Sequence, residues 1–93
     1  MEIQQNNNET RGEFSAFSGE KQAGLMTYTW AGKDKFIIDH TEVDPAFGGK
    51  GVGKELVLAA VRFARENDLK VIPLCPFAAA AFKKDAGIQD VLS

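Results

Sequence analysis

The 93-residue chain holds one cysteine, one histidine and one run of closely spaced glycines. The run Phe47-Gly48-Gly49-Lys50-Gly51-Val52-Gly53 stands where a loop passes into a helix. Glycine there removes side chains, so backbone N–H groups can approach an anion closely. The unpaired amides of a first helical turn and the positive end of the helix both favour a phosphate. Two familiar phosphate loops do not fit. No Gly-Lys-Ser/Thr triplet closes a P-loop, and Gly48, Lys50 and Gly53 break the dinucleotide spacing. That second fingerprint also needs a parallel unit too large for this chain. A flexible, well-capped turn would use the same glycines without any ligand.

Cys75 lies at a strand end, directly before a helix opened by Pro76. A thiol at a helix N-terminus has its thiolate stabilised, provided the site is not deeply apolar. The plainer fate of a free cysteine is to act as a small buried hydrophobe. Lys83 and Lys84 stand too far along that helix to help directly. His40 and Glu42, two residues apart, share one strand face, with Asp39 and Thr41 on the other. A histidine beside a carboxylate suits general-base work near neutral pH. A strand-end histidine satisfied by local hydrogen bonds is the alternative.

The elements that must hold these groups follow from periodicity. Glu2–Gln5 is a weak strand, ended by Asn6-Asn7-Asn8 as turn material. Gly12–Ser18, Gln22–Trp30 and Phe36–Val43 alternate and are joined by short polar turns, which predicts an antiparallel meander. Phe17 falls off the register of its strand. After the glycine run, Val52, Leu56, Ala59, Ala60 and Phe63 form the apolar stripe of a helix of about four turns. Leu69–Leu74 is a short apolar strand, parallel to its partner through a right-handed crossover. Phe77–Lys84 is a short helix with Pro76 at its first position, and Phe77 and Phe82 are its expected core residues. Asp85–Ser93 is a tail or short final element.

Composition sets the limits. Hydrophobic residues make up 44% and charged residues 26%, with a net charge of -2, so a folded globule is expected and nucleic acid is not. The longest apolar runs, Leu56–Val61 and Phe77–Phe82, fall far short of the roughly 20 residues that span a bilayer. No membrane contact and no signal peptide is expected. One cysteine excludes an internal disulfide and fits a reducing, cytoplasmic compartment. One histidine and one cysteine argue against a structural zinc site. A single domain, residues 1–93, acting as a monomer or weak dimer, is the expectation.

Taken together, His40-Thr41-Glu42-Val43, Pro45, Gly49-Lys50-Gly51-Val52-Gly53 and Pro73-Leu74-Cys75-Pro76-Phe77 resemble the small YjdJ-type branch of the GNAT superfamily of N-acetyltransferases. The likeness runs from about Ile37 to Lys84. It implies an α+β fold: a mixed sheet of about five strands, one long helix and one short C-terminal helix. It also implies acetyl-coenzyme A as cosubstrate and an amine, on a small molecule or a protein, as acceptor. The implied cofactor contacts are Gly48, Gly49, Lys50, Gly51, Val52, Gly53 and Lys54 for the pyrophosphate. Glu42 and Val43 would face the pantetheine arm, with Cys75, Pro76 and Phe77 beside it. A cysteine at the position of Cys75 is implied as catalytic, either as nucleophile or as acid to the departing thiolate. Gly48 stands where the wider superfamily carries Gln or Arg, and Asp85 stands near where the branch carries histidine. Two other readings remain open: a non-catalytic module that binds coenzyme A, and an interaction module that has lost its ligand.

Overall fold

The computed structural model describes residues 1–93. Five strands lie side by side in chain order: β1 (Glu2–Asn7), β2 (Arg11–Ser18), β3 (Lys21–Trp30), β4 (Lys35–Val43) and β5 (Lys70–Pro73). The first four are antiparallel, and β5 pairs parallel to β4. A 3-10 turn, Pro45–Phe47, and a helix, α1 (Val52–Glu66), connect β4 to β5. A second helix, α2 (Pro76–Lys84), and a 3-10 turn, Ala86–Val91, follow. This is the mixed five-stranded sheet with one long and one short helix that the sequence predicts. No helix is long and apolar enough to cross a membrane.

The core lies between α1 and one face of the sheet. Val52, Leu56, Ala60 and Ala64 of α1 are buried against Phe14, Met26, Tyr28, Phe36 and Ile38. Tyr28 is the hub, with Phe36 at 5.0 Å and Phe14 at 5.4 Å between ring centroids, and Phe63 of α1 at 6.1 Å. Two glycines make room for this packing. A Cβ on Gly12 would stand 2.3 Å from the Tyr28 ring, and one on Gly24 would stand 2.7 Å from Val52 Cγ1. Gly24 thus lets the start of α1 settle onto β3.

Four details refine the sequence expectation. β1 runs on through Asn6 and Asn7, which pair with Glu13 and Gly12, and of the three asparagines only Asn8 enters the turn, with Glu9 and Thr10. The Asn8 side chain accepts the Thr10 and Arg11 amides at 2.9 and 3.0 Å. Pairing to β2 therefore overrides the poor strand propensity of asparagine. The C-terminal segment is held: Arg65 binds Asp90 through two nitrogens at 2.7 and 3.1 Å, and Leu92 bridges Val71. Phe77 is 44% exposed, whereas Phe82 is buried as expected.

The fourth detail shapes the site. Between β3 and β4 the register jumps: Tyr28 opposes Ile38 and Thr27 opposes His40, leaving Asp39 as an extra residue. Such a bulge places two successive side chains on one face. Asp39 and His40 both stand on the sheet face away from α1, where Thr29 donates to Asp39 at 2.6 Å. Thr41, expected beside Asp39, turns instead to the helix side.

Candidate active site

The gap between β4 and β5 arises where their pairing ends. β5 pairs with β4 only from Lys35 to Ile38, and the Leu74 and Cys75 amides then both donate to Ile38 O at 3.2 and 3.1 Å. β4 continues to Val43 with β3 alone. Asp44 N–H donates to Ala23 O at 2.8 Å, and ladder alternation then turns the Thr41 and Val43 backbone groups away from β3. A strip of β4 backbone is thereby left open toward the space that β5 vacates. Val43 belongs to this strip as expected. The Glu42 backbone does not; it faces β3, its carbonyl beside Gly24. That is a correction, and the bulge at Asp39 is its cause.

At the far end of the strip the chain turns into α1. Asp44 caps the 3-10 turn by accepting the Ala46 amide at 2.8 Å. Gly49 and Gly51 have φ of 77° and 76°, a region that side chains disfavour, and a Cβ on either would meet only open space. Gly51 precedes the first helical residue with no side-chain cap. The first amides of α1, at Val52, Gly53 and Lys54, therefore have no capping partner. Lys50 is exposed beside them, its Nζ 5.8 Å from the centre of the Phe47 ring. This arrangement fits a phosphate group. Two glycines of the run serve other ends. The Gly48 amide already donates to Pro45 O at 3.2 Å, and a Cβ on Gly53 would stand 2.3 Å from the Phe77 ring. Gly53 is a packing glycine that brings α2 against α1.

Cys75 sits between these parts. It precedes α2 in extended conformation, φ -62° and ψ 130°, with its side chain only 5% exposed. Its thiol donates to Thr41 Oγ1 at 3.5 Å. Burial pushes the thiol pKa up. The Ala78 amide, the Thr41 hydroxyl, and the Phe77 and Thr41 amides act against it, and the net shift is downward. Once the sulfur ionises, the rotatable Thr41 hydroxyl becomes a donor to it. The thiol is buried, yet its surroundings favour the anion. Pro76 opens α2 behind it, and Phe77 covers Gly53.

His40 Nε2 lies 2.9 Å from Glu42 Oε1, both side chains more than half exposed, on the face away from α1. They lie across β4 from Cys75, so the structure does not bring the histidine to the thiol. Thr41 is the residue that sequence reading missed. Strict alternation assigns it to the opposite face, and no local signal marks a bulge.

Residues 13–91 match the family model described as GCN5-related N-acetyl-transferase. The chain belongs to this family. Among relatives of this GCN5-related chain, Protein NATD1 of Xenopus tropicalis is 38% identical over 66 residues, 70% of this chain and 61% of that protein. Protein NATD1 of Gallus gallus is 34% identical over 74 residues, 78% of this chain and 67% of that protein. The chain thus spans about three fifths of the length of the first of these. An NMR solution structure of a GCN5-like protein from Staphylococcus aureus superposes with a TM-score of 0.72 at 36% identity, covering 99% of this chain and 87% of that one. The aminoglycoside N-acetyltransferase AAC(6')-Iy in complex with CoA shares the fold, at TM-score 0.63 and 16% identity over 94% of this chain and 89% of that one.

Proposed function

We propose that residues 1–93 act as one acetyltransferase domain that moves the acetyl group of acetyl-CoA to an amine, with Cys75 as the reacting thiol. The observation that carries this reading is a juxtaposition. An uncapped helix start behind two left-handed glycines opens at one end of a free β4 backbone strip, and a thiol whose pKa its amide and hydroxyl neighbours lower stands beside the strip. The CoA complex of a protein with the same fold supports the choice of cosubstrate.

Bound acetyl-CoA supplies an acetyl group already activated as a thioester. Gly49, Lys50, Gly51, Val52, Gly53 and Lys54 hold its pyrophosphate through backbone amides and two lysine charges. The Thr41 and Val43 backbone groups take the amide groups of the pantetheine arm as a further strand would, and one of these N–H groups polarises the thioester carbonyl. Pro76 and Phe77 form the apolar wall. Cys75 Sγ is the group that attacks or that returns a proton. His40, held by Glu42, takes the proton of an ammonium arriving on the other face.

A second reading is a non-catalytic CoA-binding module, favoured by the burial of Cys75 at 5% exposure. One experiment separates the two. Purified protein is incubated with acetyl-CoA and a panel of amines and peptides, and the products and the denatured protein are weighed by mass spectrometry. Time-dependent acetylation of an amine is the expected result, with transient acetyl on Cys75 if the thiol attacks. Bound CoA with no transfer to any amine would favour the module.

A further inference from the structure

The two edges of the sheet end differently. Along β5, Leu92 bridges Val71 and the Ser93 amide donates to Val71 O at 3.0 Å, while Pro73 has no amide to offer. That edge is closed. β1 forms the other edge, exposed throughout except for half-buried Ile3. Two hydrogen bonds fix which of its groups are free. The Asn8 amide donates to Arg11 O at 2.9 Å, and the Trp30 amide donates to Thr10 O at 3.1 Å. By ladder alternation, the backbone of Glu2, Gln4, Asn6 and Asn8 then faces β2. Ile3, Gln5 and Asn7 present their N–H and C=O groups outward.

Edge strands are commonly blunted by lysine, proline or a bulge. β1 has none of these, and its register with β2 is unbroken from Glu2 to Asn7. Its own side chains decide what fits. Outward groups must meet outward groups, so an antiparallel copy aligns on Gln5, with Ile3 opposite the partner's Asn7. Gln4 then meets the partner's Asn6, and amide side chains both donate and accept. Glu2 lies opposite the partner's Asn8, and across that hairpin from Asn8 stands Arg11. Ile3 and Phe14 pack on the core side, which puts Glu2 and Arg11 on the face away from α1. Glu2 and the partner's Arg11 thus share one row, two strand spacings or roughly 10 Å apart at the backbone. Their side chains together span that distance. Within one chain no acidic side chain pairs with Arg11. The two Glu2 carboxylates stand roughly 20 Å apart along the strands, where salt screens their repulsion.

We infer that β1 pairs antiparallel with β1 of a second copy, joining two five-stranded sheets across a two-fold axis. An edge of six residues falls below the roughly 1,200 Å² of lasting complexes, so the dimer is weak and exchanges. The closed β5 edge stops assembly at two. The gap between β4 and β5 stays open, and the pairing does not rest on acetyl transfer. Sedimentation velocity over micromolar to millimolar protein should show exchange between monomer and dimer. Over the same range, hydrogen exchange at the Ile3, Gln5 and Asn7 amides should slow. Gln4 and Asn6, already bonded to β2, should stay constant. N7P removes an outward N–H, leaves the ladder to β2 intact and should weaken the dimer roughly tenfold. R11E and E2R should each weaken it about fivefold, and E2R/R11E should restore it. The inference is overturned if the protein sediments as a monomer at millimolar concentration, or if assembly continues past the dimer. A dimer unchanged in folded N7P, or weakened in R11E without rescue in E2R/R11E, would overturn it as well.

Discussion

Two helices begin beside the same gap in the sheet, and they begin differently. α1 starts from Gly51 at φ 76°, in an exposed loop with no side-chain cap. α2 starts from Cys75 in extended conformation, with the thiol buried beneath Thr41 and facing the Phe77 and Ala78 amides. Both helix ends attract negative charge, for the same reason of unpaired amides and aligned peptide dipoles. The open one is free for an anion that diffuses in, and the closed one acts on a sulfur of the chain itself. Gly53 and Phe77 join them, since the ring of α2 rests where a side chain of α1 would otherwise be. Binding thus falls to the first helix end and reactivity to the second, and substitutions should separate the two.

The largest effect is expected at the closed end. Cys75→Ala should lower turnover at saturating acetyl-CoA by at least roughly a hundredfold, the scale of a lost acid–base group, with CoA affinity unchanged. Full turnover in this variant would make Cys75 a packing residue and favour direct attack by the amine. Next comes the joint between the helices. Gly53→Ala drives a methyl into the Phe77 ring and should cost roughly 1–3 kcal/mol of stability, read by chemical denaturation. Adding Phe77→Ala should recover part of that loss.

The open end should show smaller, more selective changes. Gly51→Ala forces a side chain into left-handed backbone at roughly 1–2 kcal/mol, and CoA affinity should fall about tenfold by calorimetry. Gly48→Ala is the contrast: its φ is -59° and its amide already serves Pro45, so affinity should hold. The smallest effect is expected from Thr41→Val. Its hydroxyl favours the Cys75 thiolate, so removing it should raise the thiol pKa. Alkylation of Cys75 by iodoacetamide should then need higher pH, whereas an unchanged profile would remove Thr41 from the site.

Much of this frame was legible in the residues. Alternation in Gly12–Ser18, Gln22–Trp30 and Phe36–Val43 marks the meander, and Val52, Leu56 and Ala60 mark the buried side of α1, because both periods reflect burial on one face. The glycine run and the Cys75-Pro76 step were visible as helix starts. What stayed hidden depends on contacts between distant segments. Asn6 and Asn7 extend β1 only because β2 pairs with them. Gly24 looks like a weak point in β3 until Val52 is seen against it. The Asp39 bulge has no sequence mark, yet it moves Thr41 to Cys75 and turns the Glu42 backbone toward β3. Gly53 carries a second constraint that the chain alone does not mark: besides its uncapped amide, the Phe77 ring leaves no room for a side chain there.

One ligand should join the open helix end to the free strip of β4 beside Cys75. Titration of CoA into isotope-labelled protein, followed by NMR, reads that join residue by residue. The largest amide shifts should fall at Gly49–Lys54, Thr41, Val43 and the start of α2. Shifts confined to Gly12–Trp30, or none at saturating CoA, would contradict it.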